Sequence, residues 1–216
     1  MDPAISHVPT NNIERVEVIT GPFDVENFGT LSGAVKVETK TPSKTVHGDV
    51  NANVGSFNYR KLSAQVSGGE GPVRVLVGAS KEASGQYQDG NGDTLAEQLV
   101  TQNAPMGNRY LPQYEGMDAY DKETYIAKAF FDISDSQVLS VGYTGNRSSD
   151  VLYPSSPMDA VYDDSDLFNI NYDLKNLGSL SKSLIMQAYY SQVDHPMSNK
   201  YRYASVMMNE MTNHLT

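Results

Sequence analysis

From about residue 48 onward, apolar residues recur at every second position of the chain. "DVNANV" sets Val50, Ala52 and Val54 against Asp49, Asn51 and Asn53. "KLSAQVS" contributes Leu62, Ala64 and Val66, and "VRVLVGAS" contributes Val73, Val75, Val77 and Ala79. "YIAKAFFDI" gives Tyr125, Ala127, Ala129, Phe131 and Ile133, and "VLSVGYTG" gives Leu139, Val141 and Tyr143. "LFNINYDL" and "SLIMQAYYS" continue the pattern with Phe168, Ile170, Tyr172 and Leu174, then Leu184, Met186, Ala188 and Tyr190. Alternation at period two marks strands with one apolar and one polar face. It predicts seven strands, near 48–56, 58–67, 72–82, 123–134, 136–146, 165–175 and 182–194, with no helix among them.

The connections sort into two kinds. "SGGEGP" (67–72), "SDSQ" (134–137) and "KNLGSLSK" (175–182) are short, whereas 83–121 and 146–164 are long and rich in Gly, Asn, Asp and Pro. A meander with short turns at one end and long loops at the other has the layout of an outer-membrane β-barrel. A soluble β-sheet binding domain would show the same period, but with core faces richer in Leu and Ile. Here the apolar faces are mostly Val, Ala, Tyr and Phe, which suits a lipid-facing exterior around a wet lumen. The expected fold is therefore all-β: a fragment of a transmembrane antiparallel β-barrel.

Composition narrows the function. The chain has 216 residues and a net charge of −10, which argues against nucleic acid as a partner. Cys is absent, so this chain holds neither disulfides nor thiolate metal sites of its own. No apolar run reaches the roughly 18 residues of a membrane helix, and the opening "MDPAISHVPTNN" lacks the basic start and apolar core of a signal peptide. No nucleophile triad, paired carboxylate site or phosphate loop is visible, so the chain reads as a non-enzyme. "DGNGD" (89–93) has the look of a calcium loop but lacks the downstream Glu that such a loop requires.

One pair of residues carries candidate chemistry. In "SQVDHPMSNK", His195 and Met197 flank Pro196. Both share the odd parity of Ser183, Gln187 and Ser191, the polar face of the last predicted strand. If the strand stays extended, both point into the lumen, high in the barrel. Imidazole and thioether together select soft ions such as Cu(I) over Ca or Mg. The plainer reading is a solvated His at a strand end. Met207, Met208 and Met211, with His214, read as loop and strand residues filling gaps.

The N-terminal segment "NNIERVEVITGPFDVENFGTLSGAVKVETKTPS" resembles the end of the plug domain of TonB-dependent outer-membrane receptors. Ile13, Glu14, Arg15, Val16, Glu17, Val18, Gly21 and Pro22 match the family's "IERIEVLRGP" segment. Phe28-Gly29 matches its aromatic-Gly step, and Gly33, Val35, Val37, Thr39 and Lys40 match its closing strand; Ala34 stands where a second Gly is usual. The resemblance implies that residues 1–44 are the C-terminal part of a plug domain and 45–216 the first strands of an incomplete barrel. Plug strands are expected at 13–19 and 34–39, on the lumen side, with Glu14 and Arg15 facing the barrel wall. It also implies a bacterial cell outer membrane location, contact with lipid, a metal or metal-chelate ligand, and drive from the TonB energy-coupling complex through the plug's N-terminal part. Barrels of this kind have on the order of 22 strands, and open edges are not tolerated in lipid, so an internal fragment is expected.

A second resemblance, to the copper receptors within that family, rests on fewer residues. Met1, Asp2 and Pro3 match the end of a "CxxxM" motif followed by "DP", and His195, Pro196 and Met197 match an "HxM" motif. It implies that Met1, His195 and Met197 hold one copper ion, with a Cys four positions before Met1, outside this chain. The expected function is TonB-dependent uptake of copper; the alternatives are an iron-siderophore or cobalamin-type ligand for the same kind of receptor.

Overall fold

The computed structural model describes residues 10–21, 33–179 and 181–215. Its main body is one eight-stranded sheet in which every strand pairs with its sequence neighbours: β3 (His47–Val54), β4 (Arg60–Glu70), β5 (Val73–Ser84), β6 (Tyr120–Ser134), β7 (Gln137–Val151), β8 (Asp159–Lys175), β9 (Ser183–Ser198) and β10 (Thr212–Leu215). All pairings are antiparallel. A separate two-stranded sheet joins β1 (Ile13–Thr20) to β2 (Gly33–Thr39). Every strand expected from the alternation is present. Among the described residues the large sheet is open, with β3 and β10 at its edges.

The strands differ from expectation in length and number. A tilted strand needs about 9–11 residues to cross a bilayer, but β6, β7, β8 and β9 run to 15, 15, 17 and 16 residues. Their extra length lies at the long-loop end, where polar residues dilute the alternation. β10 is too short to show a period, and two helices lie in the long loops: α1 (Leu95–Thr101) and α2 (Tyr203–Met207). The start of α1 is fixed by a capping box, in which Thr94 Oγ1 accepts from Glu97 N at 3.3 Å while Glu97 Oε2 accepts from Thr94 N at 2.7 Å. At the opposite end of the sheet, β4 and β5 are joined by Gly71-Pro72. Gly71 takes φ 58°, open to glycine without steric cost, and Pro72 then holds its own φ negative.

The sheet is inside-out relative to a soluble one. Along β4, Leu62 and Val66 are exposed while Ser63 and Ser67 are buried. The same holds further across, where Thr124, Ser140, Asn146 and Ser165 are buried while Val77, Tyr125, Phe168 and Ile170 are exposed. Cross-strand register aligns the outer face into rows. Val66, Val77, Ala127, Tyr143, Phe168 and Tyr190 form one, and Val73, Phe131, Leu139, Tyr172 and Met186 form another. Between them lies a purely small or aliphatic row of Gly68, Val75, Ala129, Val141, Ile170 and Ala188. An outward face of aliphatic and aromatic residues, with polar residues inward, suits a lipid-facing barrel wall. A soluble sandwich would bury that face against a second sheet.

The small β1–β2 sheet lies against the polar face. Lys128 of β6 donates to Thr39 Oγ1 and, at 2.8 Å, to the Lys40 carbonyl; Lys61 of β4 donates to Thr10 Oγ1 at 3.1 Å. Between the two sheets remains a polar cavity of about 480 Å³, lined by Glu14, Lys36, Lys128, Asn169, Asp173 and Gln187 among others. Glu14 thus faces the wall as expected. Arg15 binds Glu38, its neighbour across β2, at 2.8 Å, and Glu38 lines the same cavity. The wall's own lysines reach toward the small sheet and the turn before it.

The row assignment predicts that Ile170→Lys in the full-length protein lowers folding stability in lipid vesicles by about 2–4 kcal/mol. Gln187→Lys, on the polar face, should cost far less. Equal losses by urea titration would contradict the assignment of faces.

Candidate metal centre at the outer end of the sheet

His195 and Met197 lie near the outer end of β9, where β8 and β10 flank them. Met197 pairs in register with Ala160 on one side and Asn213 on the other. The strand does stay extended through Pro196, so His195 and Met197 share the face of Gln187, which lines the inner cavity. The His195 side chain is 17% exposed, and its Nδ1 lies 3.6 Å from Asp163 Oδ1. Its ring meets the Tyr153 ring edge-on, with centroids 5.8 Å apart. Met1 lies outside the described residues. Among the described residues, no group of three or more His, Asp or Glu side chains is arranged to hold a metal ion. Met207, Met208 and Met211 are exposed, and His214 approaches Asp194 at 3.5 Å.

Above this end of the sheet the long loops build a small core of their own. Leu95 and Ala96 of α1 pack with Tyr110, Ala119, Leu152 and Tyr201. The loops are also knitted by main-chain bonds: Leu111 N donates to the Tyr201 carbonyl, Tyr203 N to the Arg109 carbonyl, and Leu152 N to the Ala119 carbonyl. Gln86 ties the start of the first loop to its end, donating to the Glu115 and Met117 carbonyls and accepting from Ala96 N.

At the centre sits a fully buried ion pair, Arg202 with Asp159, both side chains 0% exposed. Arg202 Nε and one terminal nitrogen each reach an Asp159 oxygen at 2.6 Å. The guanidinium also donates to the Asn108 and Tyr153 carbonyls and to the Tyr110 hydroxyl, and it stacks on the Tyr110 ring at 3.7 Å. Asp159 Oδ1 accepts further from Tyr110 Oη and from Tyr153 N. Burial, and the adjacent Asp159 carboxylate, push the Tyr110 hydroxyl above its ordinary range, so it remains a donor. Tyr201 is raised for the same first reason, with its hydroxyl bonded to Asp150. Tyr153 is thus gripped by both members of the pair through its backbone, while its ring rests against His195.

Sequence reasoning expected His195 and Met197 on the inner face of an extended strand, and the strand does extend through both; it missed Asp163, Tyr153 and the Arg202–Asp159 pair. The pair spans 43 residues, and neither "SPMDAV" nor "KYRYAS" carries a motif. Asp163 is aimed by a register shift between Ala160 and Asp164 that no alternation count reveals.

These elements define consecutive antiparallel strands of an open, inside-out β-barrel wall, with a small two-stranded sheet on its polar inner face. Among solved structures, the chain is similar to one titled "Copper transporter OprC", with a TM-score of 0.78 and 18% identity, covering 99% of this chain and 31% of that one. It is also similar to the pyoverdine outer membrane receptor FpvA from Pseudomonas aeruginosa PAO1, with a TM-score of 0.42 and 12% identity over 87% of this chain and 36% of that one. No protein-family model matches the sequence, and no curated protein does. The chain spans about a third of the length of these structures.

Replacing Arg202 by Met leaves Asp159 buried without its counter-charge, at a cost of about 3–5 kcal/mol. In the full-length protein this should open the outer loops to limited proteolysis while the sheet's circular dichroism is retained. Adding Asp159→Leu should restore part of the protection. Wild-type protease resistance in the single variant would contradict the role given to the pair.

Proposed function

We propose that the chain is part of a TonB-dependent receptor of the bacterial outer membrane that binds copper and imports it. The observation that supports this reading most is the inward-facing His195–Met197 pair, set beneath a rigid loop core at the mouth of a plugged, inside-out sheet. Copper is cargo here, so its ligands must grip and then release. A site with His195 and Met197 on the wall and Met1 on the plug divides the ligands between a fixed part and a movable one. Plug movement, driven through the TonB complex, separates them and lets the ion pass. Imidazole and thioether donors suit soft Cu(I). The aromatic-flanked outer rows are the lipid contact, and the likeness in fold to a protein titled a copper transporter supports the same choice of cargo.

The test is the copper content of the purified full-length receptor, compared with the His195→Ala, Met197→Ala double variant. The reading predicts bound copper in the wild type and its loss in the variant, with the barrel intact by heat-modified gel mobility. Equal copper in both removes it and leaves an iron-siderophore or cobalamin-type ligand for the same architecture.

A further inference from the structure

Asp163 is a buried carboxylate that the ligand set above does not use. Its side chain is 9% exposed, and Oδ1 is buried with no hydrogen-bond partner. A carboxylate oxygen taken out of water without a donor is costly, so its placement calls for an explanation. Three features aim it. The register shift sets residues 161–163 of β8 opposite only 195–196 of β9, and such bulges re-aim side chains beside functional sites. Asn146 on β7 donates through Nδ2 to the Asp163 carbonyl at 3.2 Å, fixing its backbone from the other side. The His195 ring stands close to the orphan oxygen, its Nδ1 3.6 Å away, just outside hydrogen-bonding range.

We propose that Asp163 is the positioning residue of His195: it holds the proton on Nδ1, so that Nε2 is the nitrogen presented to the ligand. This rests on the copper reading above for what Nε2 binds, but the Asp163–His195 coupling stands apart from it. The carboxylate is a hard donor and a poor ligand for Cu(I). As an acceptor for the far side of the ring it fixes the tautomer and raises the basicity of Nε2. The Tyr153 ring, edge-on to the imidazole, limits its rotation from another direction. A small turn of the ring closes the 3.6 Å gap and satisfies the orphan oxygen.

Two measurements on the full-length receptor test this. The first uses metal-free protein with ¹⁵N-labelled histidine, at a pH where imidazoles are neutral. His195 should show the Nδ1–H tautomer in the wild type and in Asp163→Asn, which keeps an acceptor oxygen. It should shift toward Nε2–H in Asp163→Leu. The second is Cu(I) affinity by competition with a chelator. Asp163→Leu should weaken it about 10- to 100-fold, and should weaken it no further in a His195→Ala background. An unchanged tautomer in Asp163→Leu overturns the proposal. So does an affinity loss of the same size with His195 absent, since that marks a general disturbance of β8. If the wild type binds no Cu(I), the copper reading fails while the tautomer comparison still decides the role of Asp163.

Discussion

The buried Arg202–Asp159 pair is the constraint on which the outer half of the structure depends. Desolvating two charges is expensive, and the pair is tolerable only because nearly every donor and acceptor around it is satisfied. Its partners come from three separate segments: Asn108 and Tyr110 from the loop after β5, Tyr153 from the loop after β7, and Arg202 itself from the loop after β9. Without it the three loops would share far fewer contacts. Joined at one buried point, they become a single cap over the end of the sheet. Tyr153 passes this rigidity downward, since its backbone is held by the pair and its ring abuts His195.

Beneath the cap, the sheet follows one rule: apolar residues outward, polar residues inward. That rule serves two media at once. The outer rows need no partner within the protein because lipid supplies one. The inner face stays polar, and so it can hold the small sheet by hydrogen bonds that are individually weak enough to exchange. Lys128 makes such bonds to the end of the small sheet and Lys61 to Thr10 just before it, and a polar cavity remains between the two sheets. A dry, closely packed interface would hold the small sheet more firmly.

Much of this was legible in the sequence. Period-two alternation survives wherever one face meets lipid, so all seven long strands and their order could be read from it, and parity alone put His195 and Met197 on the inner face. The pattern fails above the lipid, where neither face is apolar. There the outer extensions of β6 to β9 blur into loop, and α1 and α2 are too short for a helical period. Arg15 shows a finer limit: matching a family segment placed it in a strand, but its ion pair with Glu38 follows from the register of β1 on β2, which the sequence does not display. The environment of His195 was illegible for a similar reason. A bulge in the neighbouring strand brings Asp163 to it, and an ion pair between distant loops positions Tyr153.

The central claim is that the inner face at the end of β9 is a copper site completed by the plug. An anomalous difference map, collected at the copper absorption edge from crystals of the full-length receptor grown with Cu(I), tests it most directly. The account predicts a single strong peak at the outer end of the lumen, bonded to His195 Nε2, the Met197 sulfur and the Met1 sulfur. A peak elsewhere, or no peak with His195 and Met197 ordered and apart from the plug, would contradict it.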